Sequence, residues 1–322
     1  MPRVPLPDQL TSRAFTTSEA LGLEVGTKRL RGSDLSRPFH GVRTAAAPED
    51  VVTLARAAQL VLPGDDVAFS HCTSAALHGL PLPSVREHLA PVHVMRKTGR
   101  HRTLRAECIP HRGLEARKTE TVKGLPVVGM ADTWCDLGPL LGHDDLVVLG
   151  DQVARRLSSV EPLRAALATR VRPRGGVRLR EALRWIRLGS ASPMETRTRL
   201  LFVRAGLPEP ELNAKVVHPD GGFLCWADFY WREQRVIGEY QGADHFGSFD
   251  RGDDDISRRL LAEDSDHKYI EVTKKDFFNA GRRHAMLSRF AHFLGVDTLA
   301  FRPSQSIEGP FPSVSTVCRG RR

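Results

Sequence analysis

Two carboxylates in the last third of the chain, Asp228 and Glu239, stand where a divalent cation could be held. Asp228 sits in an otherwise apolar run, Phe223 to Trp231, and Glu239 in Val236-Ile237-Gly238-Glu239-Tyr240. Each run reads as a strand, with Arg232-Glu233-Gln234-Arg235 as the turn between them. A symmetric short loop sets Trp231 against Val236 and Asp228 directly opposite Glu239. Like charges directly opposite on a sheet repel, and an ionised carboxylate among apolar neighbours is costly without a partner. A magnesium or manganese ion between the two removes both penalties, since hard cations take oxygen ligands. Pairing with Arg258 or Arg259 is the other way to remove them.

Gln241 shares a strand face with Ile237 and Glu239 by the two-residue period. Glu195 is available from a preceding helix, and His245 follows in a loop that could reach a phosphate. Such a cation site activates water and stabilises the charge that develops in phosphodiester cleavage. Two of these residues have plainer readings. Ser192-Pro193-Met194-Glu195 is a capping box with proline at the first helical position, which accounts for Glu195 without chemistry. His245 is equally an ordinary surface histidine.

The elements that must position these groups follow from periodicity. A helix starts at Ser192 and carries Leu200, Leu201 and Val203. Three strands then form a meander from Asn213 to Tyr240, with a turn at Pro219-Asp220-Gly221-Gly222. Upstream, Phe15 to Leu23 predicts a small helix capped by Thr16 or Thr17 and ended near Gly22. A further turn of helix and the strand-like Phe39-His40-Gly41-Val42-Arg43 complete either a reduced winged helix-turn-helix or a cap packed on the next domain. Helices are expected from Asp50 to Leu62, from Ser70 to Gly79, from Asp132 to Leu141 and from Asp144 to Leu157, and strands at Val92 to Val94 and Glu107 to Ile109. The basic, Pro- and Gly-broken stretch Arg170 to Arg180 marks a linker leading into a helix through Leu188. The expected organisation is a winged-helix-like segment at 1–47, an α+β domain at 48–158, a helical basic linker at 159–189, a domain at 190–298 and a flexible tail at 299–322.

Other chemistry is thinner. His71, His78 and His93 lack a companion carboxylate or cysteine at ligand spacing, so they read as structural histidines or as an incomplete metal site. Five cysteines, Cys72, Cys108, Cys135, Cys225 and Cys318, are widely spaced and odd in number. That fits reduced thiols used in packing, and it argues against a structural zinc site.

Lys and Arg outnumber Asp and Glu by 47 to 38, a net charge of +9 with pI near 9.7. A basic balance suits binding to nucleic-acid phosphates. No apolar run approaches the roughly 20 residues that cross a bilayer, and Met1 to Pro7 lacks the apolar core of a signal peptide. A cytoplasmic location is expected.

The segment from Ser190 to Leu294 resembles the PD-(D/E)XK nuclease core, and within it a domain family related to the very short patch repair endonucleases. The resemblance rests on Ser192-Pro193-Met194-Glu195, Ala227-Asp228-Phe229, Gly238-Glu239-Tyr240-Gln241-Gly242 and His245. It continues in Asp255 to Leu261 and Tyr269 to Asp276. It implies an α/β fold with a restriction-endonuclease-like mixed sheet flanked by helices, and Asp228 and Glu239 as metal ligands. One residue departs from the pattern: the superfamily usually has lysine, and this subfamily often aspartate, where Gln241 stands. Lys274 or Lys275 at the end of the following strand, or Arg258 on a helix, could supply the missing charge. With Arg259 these are the candidate contacts to DNA phosphates.

The front half resembles an AbiEi-like antitoxin region through Phe15 to Ala20, Phe39 to Arg43 and Thr73 to Pro83, with its winged helix shortened. The expectations are therefore a magnesium- or manganese-dependent DNA endonuclease with a regulatory or partner-binding front half, or an inactive DNA-binding regulator of the antitoxin type.

Overall fold

The structure is a computed structural model that describes residues 4–62, 64–83, 91–99, 107–218, 220–242, 266–297 and 301–302. His245, Arg258, Arg259 and Cys318 lie outside them. The chain divides into two compact units, Met1–Leu149 with Glu161–Arg184, and Gly150–Val160 with Trp185–Arg322.

The first unit runs α1 (Asp8–Thr11), β1 (Phe15–Thr16), α2 (Thr17–Gly22), β2 (Val42–Arg43), α3 (Val51–Gln59), β3 (Val67–Phe69), α4 (His71–Leu77), β4 (Val92–Arg96), β5 (Cys108–Arg112), β6 (Thr119–Val122), β7 (Leu125–Val128) and α5 (Met130–Asp136). It continues with α6 (His143–Arg156), α7 (Glu161–Ala168) and α8 (Gly176–Trp185), the unit boundaries falling within α6 and at the last residue of α8. Thr16 caps α2, accepting the Glu19 N–H at 3.0 Å, and β1 pairs antiparallel with β2. The second helical turn expected before that strand is a 3-10 turn at Arg29–Arg31. Residues 161–184, expected in a helical linker, carry α7 and most of α8 with a non-helical stretch at 169–175 between them, and belong to this unit.

The larger sheet of this unit has the order β5-β4-β3-β7-β6 and mixes parallel with antiparallel pairs. The β6–β7 hairpin closes on Lys123-Gly124, both at positive φ (53° and 80°). That is the backbone of a type I′ turn, whose twist matches the flanking strands. Apolar residues of α3 and of β3, β4 and β7, among them Leu54, Phe69, Val94 and Val127, form its core.

The second unit runs α9 (Pro193–Arg204), β8 (Glu211–Val217), β9 (Phe223–Trp231), β10 (Val236–Gln241), β11 (Lys268–Thr273), α10 (Lys274–Phe278) and α11 (Ala280–Leu294). Its sheet has the order β11-β10-β9-β8. The meander β8-β9-β10 is antiparallel, and β11 joins it parallel to β10. This is an α/β architecture with a mixed sheet flanked by helices. Phe202 of α9 meets Phe229 of β9 edge to face, ring centroids 5.2 Å apart, and Phe290 of α11 lies 4.7 Å from Phe202. Those rings belong to one core with Trp231, Val236, Ile270 and Val272. Gly238 packs tightly beneath it, since a Cβ there would lie 3.2 Å from the Phe290 ring and 3.3 Å from Phe229.

A buried ion pair anchors α9. Asp151 and Arg199 are both 0% exposed, with Arg199 Nη2 3.1 Å from Asp151 Oδ2. Asp151 also accepts the Arg187 N–H at 2.7 Å and the Thr196 hydroxyl at 2.9 Å. Arg199 further donates to the Trp185 carbonyl at 2.7 Å and to Glu209 at 2.9 Å. Buried charges persist where several partners compensate them in this way, although Arg199 Nε itself has no hydrogen-bond partner. No helix among the described residues is long and apolar enough to cross a membrane.

Candidate active site

The register of β9 and β10 starts as the loop length predicts, with Trp231 against Val236, Tyr230 against Ile237 and Phe229 against Gly238. The paired stretch ends there. One step further would set Asp228 against Glu239, but at that point Asp228 Oδ2 accepts the Tyr240 N–H at 2.8 Å. The carboxylate thus takes a backbone donor of the neighbouring strand. Asp228 and Glu239 are both half-buried, as are Tyr240 and Gln241. On the other side of β10, Glu239 lies beside Glu271 and Gln241 beside Thr273.

Glu195 comes to this site from the start of α9. Ser192 caps the helix and accepts the Glu195 N–H at 3.2 Å, as a capping box requires. The return bond runs one residue further back, from the Ala191 N–H to Glu195 Oε2 at 2.6 Å. Capping does not exhaust this carboxyl. It is 7% exposed, and burial, followed by the negative charge of Asp228, raises it from 4.5 to about 7. Two acidic groups from different elements therefore feel each other at the end of the β9–β10 ladder.

Lys274 and Lys275 stand elsewhere than their sequence position suggested. They do not end strand β11 but form the first turn of α10, both exposed. Thr273 caps that helix in a reciprocal capping box with Asp276, which stops the strand one residue earlier. Since Thr273 pairs with Gln241, the two lysines follow directly after the partner of Gln241.

Among the described residues, the group of three ligand-type side chains whose donor atoms gather within 4.8 Å is not acidic but consists of His71, His93 and His111. His78 stands apart from it, with Nε2 at 2.9 Å from the Val128 carbonyl. Sequence spacing missed His111 because only the β4–β5 pairing brings it to His93. The four described cysteines are buried thiols outside any disulfide, as packing residues would be.

Two uncharacterized proteins of Mycobacterium tuberculosis, from strains CDC 1551 and H37Rv, are each 28% identical to this chain over 214 residues. The match spans 66% of this chain and 76% of each of theirs. No family model matches the chain. No solved structure matches it either.

Proposed function

We propose that the second unit is a restriction-endonuclease-like domain of the PD-(D/E)XK class and that the protein is a metal-dependent DNA endonuclease. The observation that carries this reading is the position of Asp228, which takes the Tyr240 N–H where β9 and β10 stop pairing and whose charge raises the Glu195 carboxyl, with Glu239 on the adjoining strand. The element order supports it: a helix bearing Glu195, a three-stranded meander, and a last strand added parallel to β10.

The donor set is hard oxygen, which suits a divalent cation, although these carboxylates do not gather within 4.8 Å of one another as the three histidines do. Glu195 is held near neutrality by burial and by the charge of Asp228, a strain that a bound cation would relieve. Asp228 and Glu239 would hold magnesium or manganese, with Glu195 and the Gln241 amide oxygen completing a hard-oxygen shell. The ion, when bound, supplies an activated water and positive charge against the phosphate. Gln241 brings no charge of its own. Lys274 and Lys275, placed after its ladder partner, would meet the DNA backbone and provide it. The front unit would then act as a regulatory or partner-binding region.

The test is a nuclease assay on single-stranded, nicked, mismatched and supercoiled DNA with magnesium or manganese. Cleavage is expected from the wild type, and none from Glu239→Ala or in chelator. Equal cleavage by Glu239→Ala would sink the reading. Salt-sensitive DNA binding without turnover would instead identify an inactive regulator of the antitoxin type.

A further inference from the structure

The first unit holds a second cluster of chemistry that the nuclease reading does not use. Strands β4 and β5 run parallel, with His93 beside Ile109 and Met95 beside His111. In this register His93 and His111 share one sheet face as diagonal neighbours. His93 Nδ1 and His111 Nε2 are 3.0 Å apart. His71, the first residue of α4, completes the group from the end of β3, its ring stacked on that of His111 with centroids 3.5 Å apart. One ligand atom from each of the three lies within 4.8 Å of the other two.

His71 reaches this position at a backbone cost, since its φ is +49°, a conformation uncommon outside glycine. Its surroundings hold it there. The Ser70 N–H donates to the His93 carbonyl at 3.0 Å, and Thr73 Oγ1 accepts the His93 N–H at 2.9 Å. Ser70 Oγ lies 3.1 Å from His71 Nδ1. Such a contact fixes the ring and leaves Nε2 as the donor atom, the usual arrangement around a metal-ligating histidine. Strained backbone held by its neighbours is a recurring mark of functional sites.

We propose that His71, His93 and His111 form a binding site for a first-row transition ion of the zinc class. Three nitrogens at about 2.0–2.1 Å from a tetrahedral ion lie about 3.3 Å apart. The His93–His111 separation of 3.0 Å lies close to that distance, and all three ligand atoms lie within 4.8 Å of one another. All three ligands are imidazoles, which select zinc, cobalt, nickel or copper over magnesium and calcium. Burial first, then the neighbouring His111 and His93, lowers His71 to about 2. Burial, then His93 and Arg117, lowers His111 to about 4.

A three-histidine set leaves one tetrahedral position for water or another ligand. The histidines line a cavity of about 920 Å³, whose wall also carries Arg112, Arg117, Arg170 and Arg174. An anion is the kind of fourth ligand this wall favours. Asp136, on the same wall, is held by Arg117 at 2.7 Å and Arg170 at 3.4 Å, so its charge is already engaged.

The test uses the full-length, tag-free protein dialysed against chelator and titrated with cobalt(II). One equivalent is expected to give the intense visible bands of a four-coordinate ion, displaced by one equivalent of zinc. His111→Ala and His93→Ala are each expected to lose the bands and weaken zinc binding at least about 100-fold. Ser70→Ala, which removes only the contact to His71, is expected to weaken it about 10- to 100-fold. Melting curves without metal check that the variants fold, and His111→Asn serves if the alanine variant does not. Weak bands of a six-coordinate ion, or zinc affinity unchanged in both histidine variants, would overturn the proposal and leave a stack of neutral histidines.

Discussion

Asp228 Oδ2 accepts the Tyr240 N–H at 2.8 Å, one step past Gly238 and Phe229, where the β9–β10 ladder stops. The carboxylate therefore satisfies a backbone donor as well as carrying charge, and two substitutions separate these roles. Asp228→Asn keeps an oxygen acceptor and removes the charge. Its thermal stability is expected to stay near that of the wild type while metal-dependent cleavage falls about 100-fold, roughly 2.7 kcal/mol of barrier. Asp228→Leu also strands the amide, at a cost of about 1–3 kcal/mol in a denaturant titration. Full activity in Asp228→Asn would remove this residue from the site.

Glu195 predicts a pH signature in the metal-free protein. Its carboxyl titrates at about 7 in the fold, against 4.5 ordinarily, because burial and the Asp228 charge disfavour ionisation. Between those values the folded protein keeps a proton that the unfolded chain has lost, so this group's contribution to stability falls as pH rises from 4.5 to 7. Glu195→Gln mimics the protonated form and removes the loss. In chelator, the variant is expected to gain on the wild type across that window, by an amount on the order of 3 kcal/mol at pH 8. Melting curves at pH 5 and pH 8 decide it. A difference between the two proteins that does not change with pH would show that Glu195 ionises normally.

The parts of this arrangement that were legible in the sequence are local. The four residues between Trp231 and Val236 fix the start of the hairpin register, and Ser192 followed by Pro193 fixes the start of α9. The end of the ladder was not legible, because it depends on a side chain replacing a backbone partner. Strands β3, β6 and β7 are short and carry little alternation, so their sheet emerges only in three dimensions. His111 was hidden for a related reason: parallel pairing of β4 with β5 joins segments whose connection leaves no mark in residue spacing. Arg199 misleads in the opposite direction, since a charged residue on a helix normally faces water, yet this one is fully buried.

That arginine is one half of an ion pair whose loss can be measured. Arg199 and Asp151 tie α9 to the residues before it, and burial raises Asp151 while Arg199 opposes that shift. Removing one member leaves the other charged in the core. Arg199→Met is therefore expected to cost about 3–5 kcal/mol, read from urea unfolding. The double variant Arg199→Met, Asp151→Asn is expected to recover part of that loss, since no buried carboxylate remains at position 151. A cost below about 1 kcal/mol for the single variant would mean that water reaches the pair.

The second unit also carries exposed rings that would hold an unpaired strand of DNA. Trp226 and Phe223 on β9 are 57% and 58% exposed, with ring centroids 6.2 Å apart. Lys215 of β8 sits beside Trp226 in the ladder and holds its Nζ 5.9 Å from the Phe223 ring centroid. By the two-residue period Trp226 shares a sheet face with Asp228. Exposed rings beside a cation form a platform on which bases stack, at about 1–3 kcal/mol per base. Trp226→Ala is thus expected to weaken binding to single-stranded DNA by roughly 5- to 150-fold while leaving unfolding unchanged. Trp134, Trp185 and Trp231 are buried, so DNA-induced fluorescence quenching in the wild type should come mainly from Trp226 and vanish in the variant. Unaltered affinity in both Trp226→Ala and Phe223→Ala would place the nucleic acid elsewhere.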